Sequence, residues 1–326
     1  MSNRQGLITS VAIVTPVYND WVSFVQLATD IDSRFAQCSI QVHMLAVNDG
    51  SFNCSPDLVH QLRHVKSSID VLHLHTNVGH QRAIAIGLVE IAHQGSFDAV
   101  FVMDADGEDR PADMDKMLAM YQEYPDRVIV AQRFRRSESL VFRMFYTLYK
   151  LLFSLLVGKV IDFGNYCLIP VCRLDALIYD SNIWNHLAST LIRHRPEVQR
   201  IRTIRGTRYD GQSSMNLESL VSHGLSAISV HIENVLIRLL LGVIPVLIIV
   251  SSGVAVVVWI RIFTGLAIPG WATTATGLLA IVILQLLILA LGAVFGILNR
   301  RASMMFIPAL EARKYVKQRE SIIRNA

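Results

Sequence analysis

Two stretches of this 326-residue chain hold no charged side chain over a length that an ordinary core helix does not need. Leu239–Ile260 carries none in 22 positions, and none occurs again from Ile262 to Asn299. About 20 apolar residues cross the hydrocarbon core of a bilayer, so the sequence predicts transmembrane helices over 236–260 and 272–298. A short turn around Pro269, Gly270 and Trp271 joins them. Arg238 flanks one side, and Arg300, Arg301, Arg313, Lys314, Lys317 and Arg319 the other. The positive-inside rule puts both flanks in the cytoplasm and the turn outside. The opening MSNRQGLITS has no apolar run of the kind that begins a secretory signal, so the N-terminal domain is expected to stay cytoplasmic. The expected location is the plasma (inner) membrane, multi-pass, with the C-terminus cytoplasmic as well.

The remaining chain reads as a water-soluble domain. Hydrophobic residues make up 52% of the whole and mean hydropathy is +0.41, but the excess lies after residue 235. A formal net charge of +4 is too mild to argue for a nucleic-acid partner and suits basic residues facing lipid headgroups or phosphates. Cys38, Cys54, Cys167 and Cys172 form no CxxC pair and no zinc spacing.

From residue 11 to about 130, short apolar runs alternate with helical patterns. Strands are expected at Val11–Val14, Val42–Val47, Val71–His75, Ala99–Met103 and Arg127–Ala131, with helices over Trp21–Phe35 and Gln81–His93. That alternation implies an α/β fold, a mostly parallel Rossmann-like sheet with helices on both faces. Polar residues follow the strand ends: Asn19 and Asp20, Asp49, Asn77, Asp104 and Asp106, Arg133. In an open α/β sheet, that carboxyl edge is where ligands bind.

Between this domain (1–215) and the hairpin, the pattern changes. In 140–157, Arg143, Thr147, Lys150 and Ser154 form one narrow polar stripe on a helix. A helix in a membrane interface has this pattern, and so does a core helix. Two basic residues and the nearby anchor favour the interface. A juxtamembrane amphipathic helix is expected over 216–235, with Leu217, Leu220, Val221, Ile228, Ile232 and Val235 on one face. Residues 299–326 read as a basic cytoplasmic tail.

The sharpest local signal is Asp104-Ala105-Asp106 after an apolar strand, continued by Gly107-Glu108-Asp109. Carboxylates this close repel unless a cation sits between them. Hard divalent ions take one or two carboxylates plus phosphate oxygens, so the turn reads as a metal–diphosphate site for Mg²⁺ or Mn²⁺. Asp49, in VNDGS, suits a base or ribose, and Asn-Asp-Gly-Ser is equally good turn chemistry. The TPVYND turn would cradle a nucleotide through its backbone and Asn19 or Asp20. In NVGHQRA, His80 and Arg82 stand at a helix start that suits phosphate, or at an ordinary loop. Arg133, Arg135, Arg136, Arg143 and Lys150 could grip a lipid-linked phosphate, or form a solvated basic face.

Taken in order, TPVYND, VNDGS, NVGHQRAIAIGL, FVMDADGEDRP, DFGNYCLI and RYDGQSS resemble the polyprenyl-phosphate glycosyltransferases, the dolichol-phosphate-mannose-synthase-like members of glycosyltransferase family 2. The likeness covers roughly residues 10–300. It implies a GT-A fold followed by amphipathic interface helices and a two-helix hairpin. It also implies a metal-dependent enzyme with a nucleotide-sugar donor, UDP- or GDP-linked, and a polyprenyl phosphate acceptor in contact with membrane lipid. Homo-oligomerisation is compatible with it. By this resemblance Asp104, Asp106 and Glu108 hold the metal, with Glu108 where the family often has Gln. Asp49, Pro16, Tyr18 and Asn19 bind the nucleotide. Arg208 and Ser213 belong to the loop that closes over the diphosphate, and Arg133 and Arg143 match arginines that hold the acceptor phosphate, beside which the residue pattern alone places Lys150. Asp162 matches an aspartate near the sugar and joins Asp104 and Asp106 as a catalytic candidate. Two departures stand out: the family's SGFR arginine is missing from Asp162-Phe163-Gly164-Asn165-Tyr166, and the tail FIPALEARKYVKQRESIIR matches only loosely.

The implied reaction inverts the sugar C1. An acceptor phosphate with a second pKa near ~6 is largely ionised at neutral pH, so no strong general base is essential. A processive polysaccharide synthase would carry QxxRW, which is absent. Transfer to a lipid alcohol would need a base, for which Asp162 is the candidate. A non-catalytic nucleotide-sugar-binding membrane protein would have no need of the paired carboxylates.

Overall fold

The computed structural model describes residues 8–53, 61–133, 151–194 apart from 152 and 160, 197–210, 217–264, and 270–323 apart from 304. Two compact units emerge. The first comprises residues 1–148, 160–230 and 306–326; the second comprises 149–159 and 231–305.

The apolar runs of the first unit become strands because each residue has a buried side to face. In β1 (Ser10–Val17), Val11, Ile13 and Val17 enter one core while Ala12 and Val14 enter the other. This is the two-residue period of a strand covered on both faces. One face is packed by α1 (Trp21–Phe35), which inserts Trp21, Phe24, Leu27 and Ile31. The other is packed by α2 (His80–Gln94), whose Ala83, Ile84 and Leu88 meet Leu45 and Val47 of β2 (Gln41–Asn48). Gly87 sets how closely α2 approaches, since a Cβ there would lie 2.5 Å from Val14 Cγ1.

β3 (Ser68–Leu74), β4 (Ala99–Val102), β5 (Val128–Arg133), β6 (Cys167–Pro170), β7 (Val198–Thr203) and β8 (Val316–Ile323) complete the sheet, in the order β7-β5-β6-β4-β1-β2-β3-β8. The pairs β1–β2, β1–β4, β2–β3 and β5–β7 are parallel. The short β6 enters antiparallel between β4 and β5, and β8 pairs antiparallel with β3. Helices α3 (Met114–Glu123), α4 (Val171–Ile178) and α5 (Leu187–His194) pack on this frame. This is a GT-A-like mixed sheet with flanking helices.

The segment read as a basic tail thus holds a strand. Arg319 on β8 pairs with Asp70 of β3 and, at 2.8 Å, with Glu90 of α2. Phe306 and Tyr315 pack at a tilt against Trp184, with ring centroids 4.2 and 5.1 Å away.

An amphipathic helix α6 (Leu217–Ser229) closes the 160–230 segment of the first unit. It stops at Ser229, short of the continuous 216–235 helix the sequence predicts. In the second unit, α7 (Ile232–Phe263) and α8 (Trp271–Ala302) are each 32 residues long. At 1.5 Å per residue that is about 48 Å, more than the ~30 Å of a hydrocarbon core. Their apolar side chains face outward: Ile249, Phe263 and Phe295 are 70%, 71% and 67% exposed. Water would penalise such a surface and lipid would not, so the pair is a candidate transmembrane hairpin. Of the 140–157 stretch, Phe153 and Val157 are described as buried. Arg143 and Lys150 lie outside the described residues.

Candidate active site at the carboxyl edge of the sheet

The ends of β1, β2 and β4 supply three loops that meet. Asn19 takes a left-handed backbone (φ 56) after β1. Its N–H donates to Ser51 Oγ at 2.9 Å and its Oδ1 accepts from Phe52 N–H at 3.1 Å. Pro16 is buried at the end of β1, whereas Tyr18 is 49% exposed and stands edge-on to Phe52 at 6.5 Å. Two exposed aromatic faces beside polar backbone suit a planar base.

Asp49 ties the second loop to the third strand's exit. Its Oδ1 accepts from Val78 N–H at 2.7 Å and its Oδ2 from Gly79 N–H at 3.0 Å. Burial pushes its pKa up, and these two bonds only partly offset that. Gly50 (φ 72) permits the approach, since a Cβ there would lie 2.6 Å from Asn77 N. Asn77 itself is exposed.

After β4 the acidic turn folds on itself. Asp109 Oδ2 accepts from Asp104 N–H at 3.1 Å, and Asp106 Oδ1 accepts from Glu108 N–H at 3.0 Å. Asp106, Glu108 and Asp109 are buried. Burial and the neighbouring Asp104 carboxylate push Asp106 up to about 6. Arg208 Nη2 sits 2.7 Å from Asp106 Oδ2, and its Nε sits 3.0 Å from Glu108 Oε1. Arg205 Nη2 reaches that same Glu108 oxygen at 2.5 Å. Ser213 lies outside the described residues.

His80 Nε2 lies 3.2 Å from Asp104 Oδ1. The side chain keeps 44% of its surface exposed, so solvent moderates the desolvation that opposes its protonation, and Asp104, backed by Asp109 and Asp106, raises its pKa. A second demand acts on the same nitrogen. Leu187 N–H donates to Gln81 Oε1 at 2.8 Å, Gln81 Nε2 to Asn165 Oδ1 at 3.1 Å, and Asn165 Nδ2 faces His80 Nε2 at 3.0 Å. The first donor is a backbone amide, so the direction of the whole chain is assigned and asks His80 Nε2 to accept. Asp104 asks that nitrogen to donate. A cation or hydroxyl taken up by Asp104 would remove the conflict.

The other candidates have partners of their own. The Arg82 guanidinium is 5.8 Å above the Trp184 ring. Asp162 Oδ2 accepts from Gln132 Nε2 at 2.8 Å and Arg200 Nε at 3.0 Å, so it is held by β5 and β7. Arg133 ends β5 in register with Thr203. Sequence reasoning did not single out Arg205, Gln81 or Asn165. Gln81 and Asn165 lie inside quoted motifs, but only the fold brings them together.

The carboxylates fit a divalent ion by their donor chemistry. They are hard oxygen ligands, crowded enough to raise Asp106, and two guanidiniums already compensate them. No group of three or more metal-ligating side chains is preassembled among the described residues.

The model of glycosyl transferase family 2 matches residues 12–175. CsbB of Bacillus subtilis (strain 168), whose name carries a provisional glycosyltransferase assignment, is 25% identical over 296 residues, 88% of this chain and 86% of that protein. The undecaprenyl-phosphate 4-deoxy-4-formamido-L-arabinose transferase of Erwinia tasmaniensis (strain DSM 17950 / CFBP 7177 / CIP 109463 / NCPPB 4357 / Et1/99) is 27% identical over 223 residues, 66% of each chain. The matched part is thus about two thirds of that transferase's length. Among solved structures, glucosyl-3-phosphoglycerate synthase from Mycobacterium tuberculosis with Mn²⁺, UDP and glucosyl-3-phosphoglycerate has a TM-score of 0.49 at 12% identity, covering 70% of this chain and 80% of that one.

Proposed function

The chain belongs to glycosyl transferase family 2 and is a glycosyltransferase, and from that premise we propose that it transfers a sugar from a nucleotide-sugar to a polyprenyl phosphate at the cytoplasmic membrane face. The observation that carries this reading is the acidic turn Asp104–Asp109, set beside the Asn19 and Asp49 loops in a chain that also carries an exposed apolar hairpin. The acceptor class is supported by relatives named for transfer to undecaprenyl phosphate.

In this reading Tyr18 and Phe52 flank the base, and the Asn19 and Asp49 loops receive the ribose. Asp104 and Asp106, with Glu108, would hold Mg²⁺ or Mn²⁺, which when bound neutralises the diphosphate. An acceptor phosphate oxygen attacks C1 of the sugar. The bond from C1 to the diphosphate oxygen breaks, its electron pair leaves with that oxygen, and C1 inverts. The acceptor is ionised at neutral pH, its second pKa being near ~6, so no side chain has to remove a proton. Asp162, already accepting from Gln132 and Arg200, is then an orienting group for the sugar end. Arg208 serves the diphosphate. Arg133, Arg143 and Lys150 face the acceptor phosphate, and Ser213 closes the donor loop. Asn77 and His80 line the phosphate side, while the Arg82 guanidinium lies over the Trp184 ring.

The proposed orientation follows from connectivity. The chain leaves the first unit at Val230 and rejoins it at Phe306, and β8 then pairs with β3. Both flanks of a membrane-crossing hairpin would therefore lie on one side, and the basic flanks argue for the cytoplasmic side.

The test is transfer of radiolabelled sugar from UDP- and GDP-linked donors to undecaprenyl phosphate in detergent, with Mg²⁺, Mn²⁺ or EDTA. Lipid-extractable label from one donor, abolished by EDTA, is expected. Donor hydrolysis that never labels lipid would remove the acceptor assignment.

A further inference from the structure

The acidic turn is compensated from within the chain, and by more than one residue. Arg205 and Arg208 both reach Glu108 Oε1, at 2.5 and 3.0 Å, and Arg208 also reaches Asp106 Oδ2 at 2.7 Å. The segment that carries them is pinned to the turn by its backbone. Gly206 N–H donates to Glu108 O at 2.9 Å, and Tyr209 N–H donates to Asp106 O at 3.0 Å. Gly206 is needed for that contact, since a Cβ there would lie 2.2 Å from Gly107 O. Tyr209 fixes the far end by donating its hydroxyl to Asp30 Oδ2 at 2.7 Å.

This arrangement conflicts with a divalent ion on the same oxygens. A carboxylate oxygen that already takes two charge-assisted hydrogen bonds has little room for a hard cation that needs close oxygen ligands. The ion and the guanidiniums compete for one position. The Arg205 side chain is 35% exposed, so it can turn outward without leaving a buried site empty.

We propose that Arg205, together with Arg208, is a tethered counter-charge: the guanidiniums hold Glu108 and Asp106 until the divalent ion arrives, and are then released to bind the donor diphosphate. This rests on the donor-site reading above. Once displaced, the two guanidiniums stand beside an anionic diphosphate whose oxygens they match bidentately. When the bond to C1 breaks, the leaving diphosphate gains one negative charge, and cations already in place stabilise it without reorganisation. The pinned backbone keeps the guanidiniums near while their side chains exchange partners.

The test uses the full-length protein in detergent, with Mn²⁺ binding followed by electron paramagnetic resonance and nucleotide binding by calorimetry. Without nucleotide, Arg205→Gln is expected to bind Mn²⁺ about tenfold more tightly than wild type, because a competing cation is gone. At saturating Mn²⁺ it is expected to bind UDP or GDP, whichever the wild type binds, about tenfold more weakly. Arg205→Lys keeps the charge and loses the fork, so Mn²⁺ affinity should stay while nucleotide affinity falls; this variant carries the test if the glutamine protein does not fold. Unchanged or weaker Mn²⁺ binding in Arg205→Gln overturns the competition, and unchanged nucleotide binding overturns the release. If wild type binds both ligands and the variants match it, this inference alone fails. If wild type binds neither, the donor-site reading fails and takes this one with it.

Discussion

Asp49 and Asp106 are both buried carboxylates just beyond a strand end, and both have pKa values raised by burial, yet they are handled in opposite ways. Asp49 gives one oxygen each to the backbone amides of Val78 and Gly79. Asp106 stands among Asp104, Glu108 and Asp109 and is balanced by the charge of an arginine side chain. The first is a fixed joint between two loops. The second is a site whose partner can be exchanged. Position at the carboxyl edge alone therefore does not define a catalytic carboxylate; the kind of partner it has does.

The same one-atom change separates the two. Asp106→Asn keeps an acceptor for Glu108 N–H but is a poor cation ligand. Transfer activity should fall at least about a hundredfold, while the free energy of unfolding stays within about 1 kcal/mol of wild type. Asp49→Asn sets an amide N–H against a backbone N–H. It should cost about 2 kcal/mol of stability in thermal unfolding while leaving Mn²⁺ binding intact. The reverse assignment of losses would break the comparison.

Asp180 sharpens it. Burial raises this carboxyl, but His194 Nε2 at 2.6 Å and two bonds from Asn182 outweigh burial and hold it at about 2. A lowered carboxylate pKa stabilises the fold above the ordinary value near ~4, and that stability is lost as pH falls through about 2. Wild type should exceed Asp180→Asn by about 2 kcal/mol at pH 5, and the gap should close near pH 2. A gap that persists below that pH would contradict the assignment.

The smallest effect is expected at Arg82. If its role is the contact with Trp184, Arg82→Ala costs about 0.5–1 kcal/mol of stability and leaves the KM for the donor unchanged. A large rise in KM would return Arg82 to the phosphate site.

What was legible in the sequence follows the same division. The apolar runs that became β1, β2 and β4 were readable because both faces of each strand are buried, and the polar residues at their ends were readable as a ligand edge. β8 was not, because it is an edge strand whose central residues face solvent on both sides. VKQRESII therefore carries no burial pattern and reads as a basic tail. β6 was hidden by its length of four residues. Asp104, Asp106 and Glu108 announced a charge conflict that any cation could resolve. That Arg205, nearly a hundred residues later, supplies one of the resolving charges depends on Gly206 meeting Gly107, which no local pattern encodes.

The most direct test of the central claim compares two acceptors in one experiment. The purified protein in nanodiscs, with Mn²⁺ and its labelled donor, is offered undecaprenyl phosphate or undecaprenol. The account predicts label on the phosphate lipid only, because the ionised phosphate needs no base and Asp162 is already engaged by Gln132 and Arg200. Label on undecaprenol, or on neither lipid while soluble acceptors are glycosylated, would contradict it.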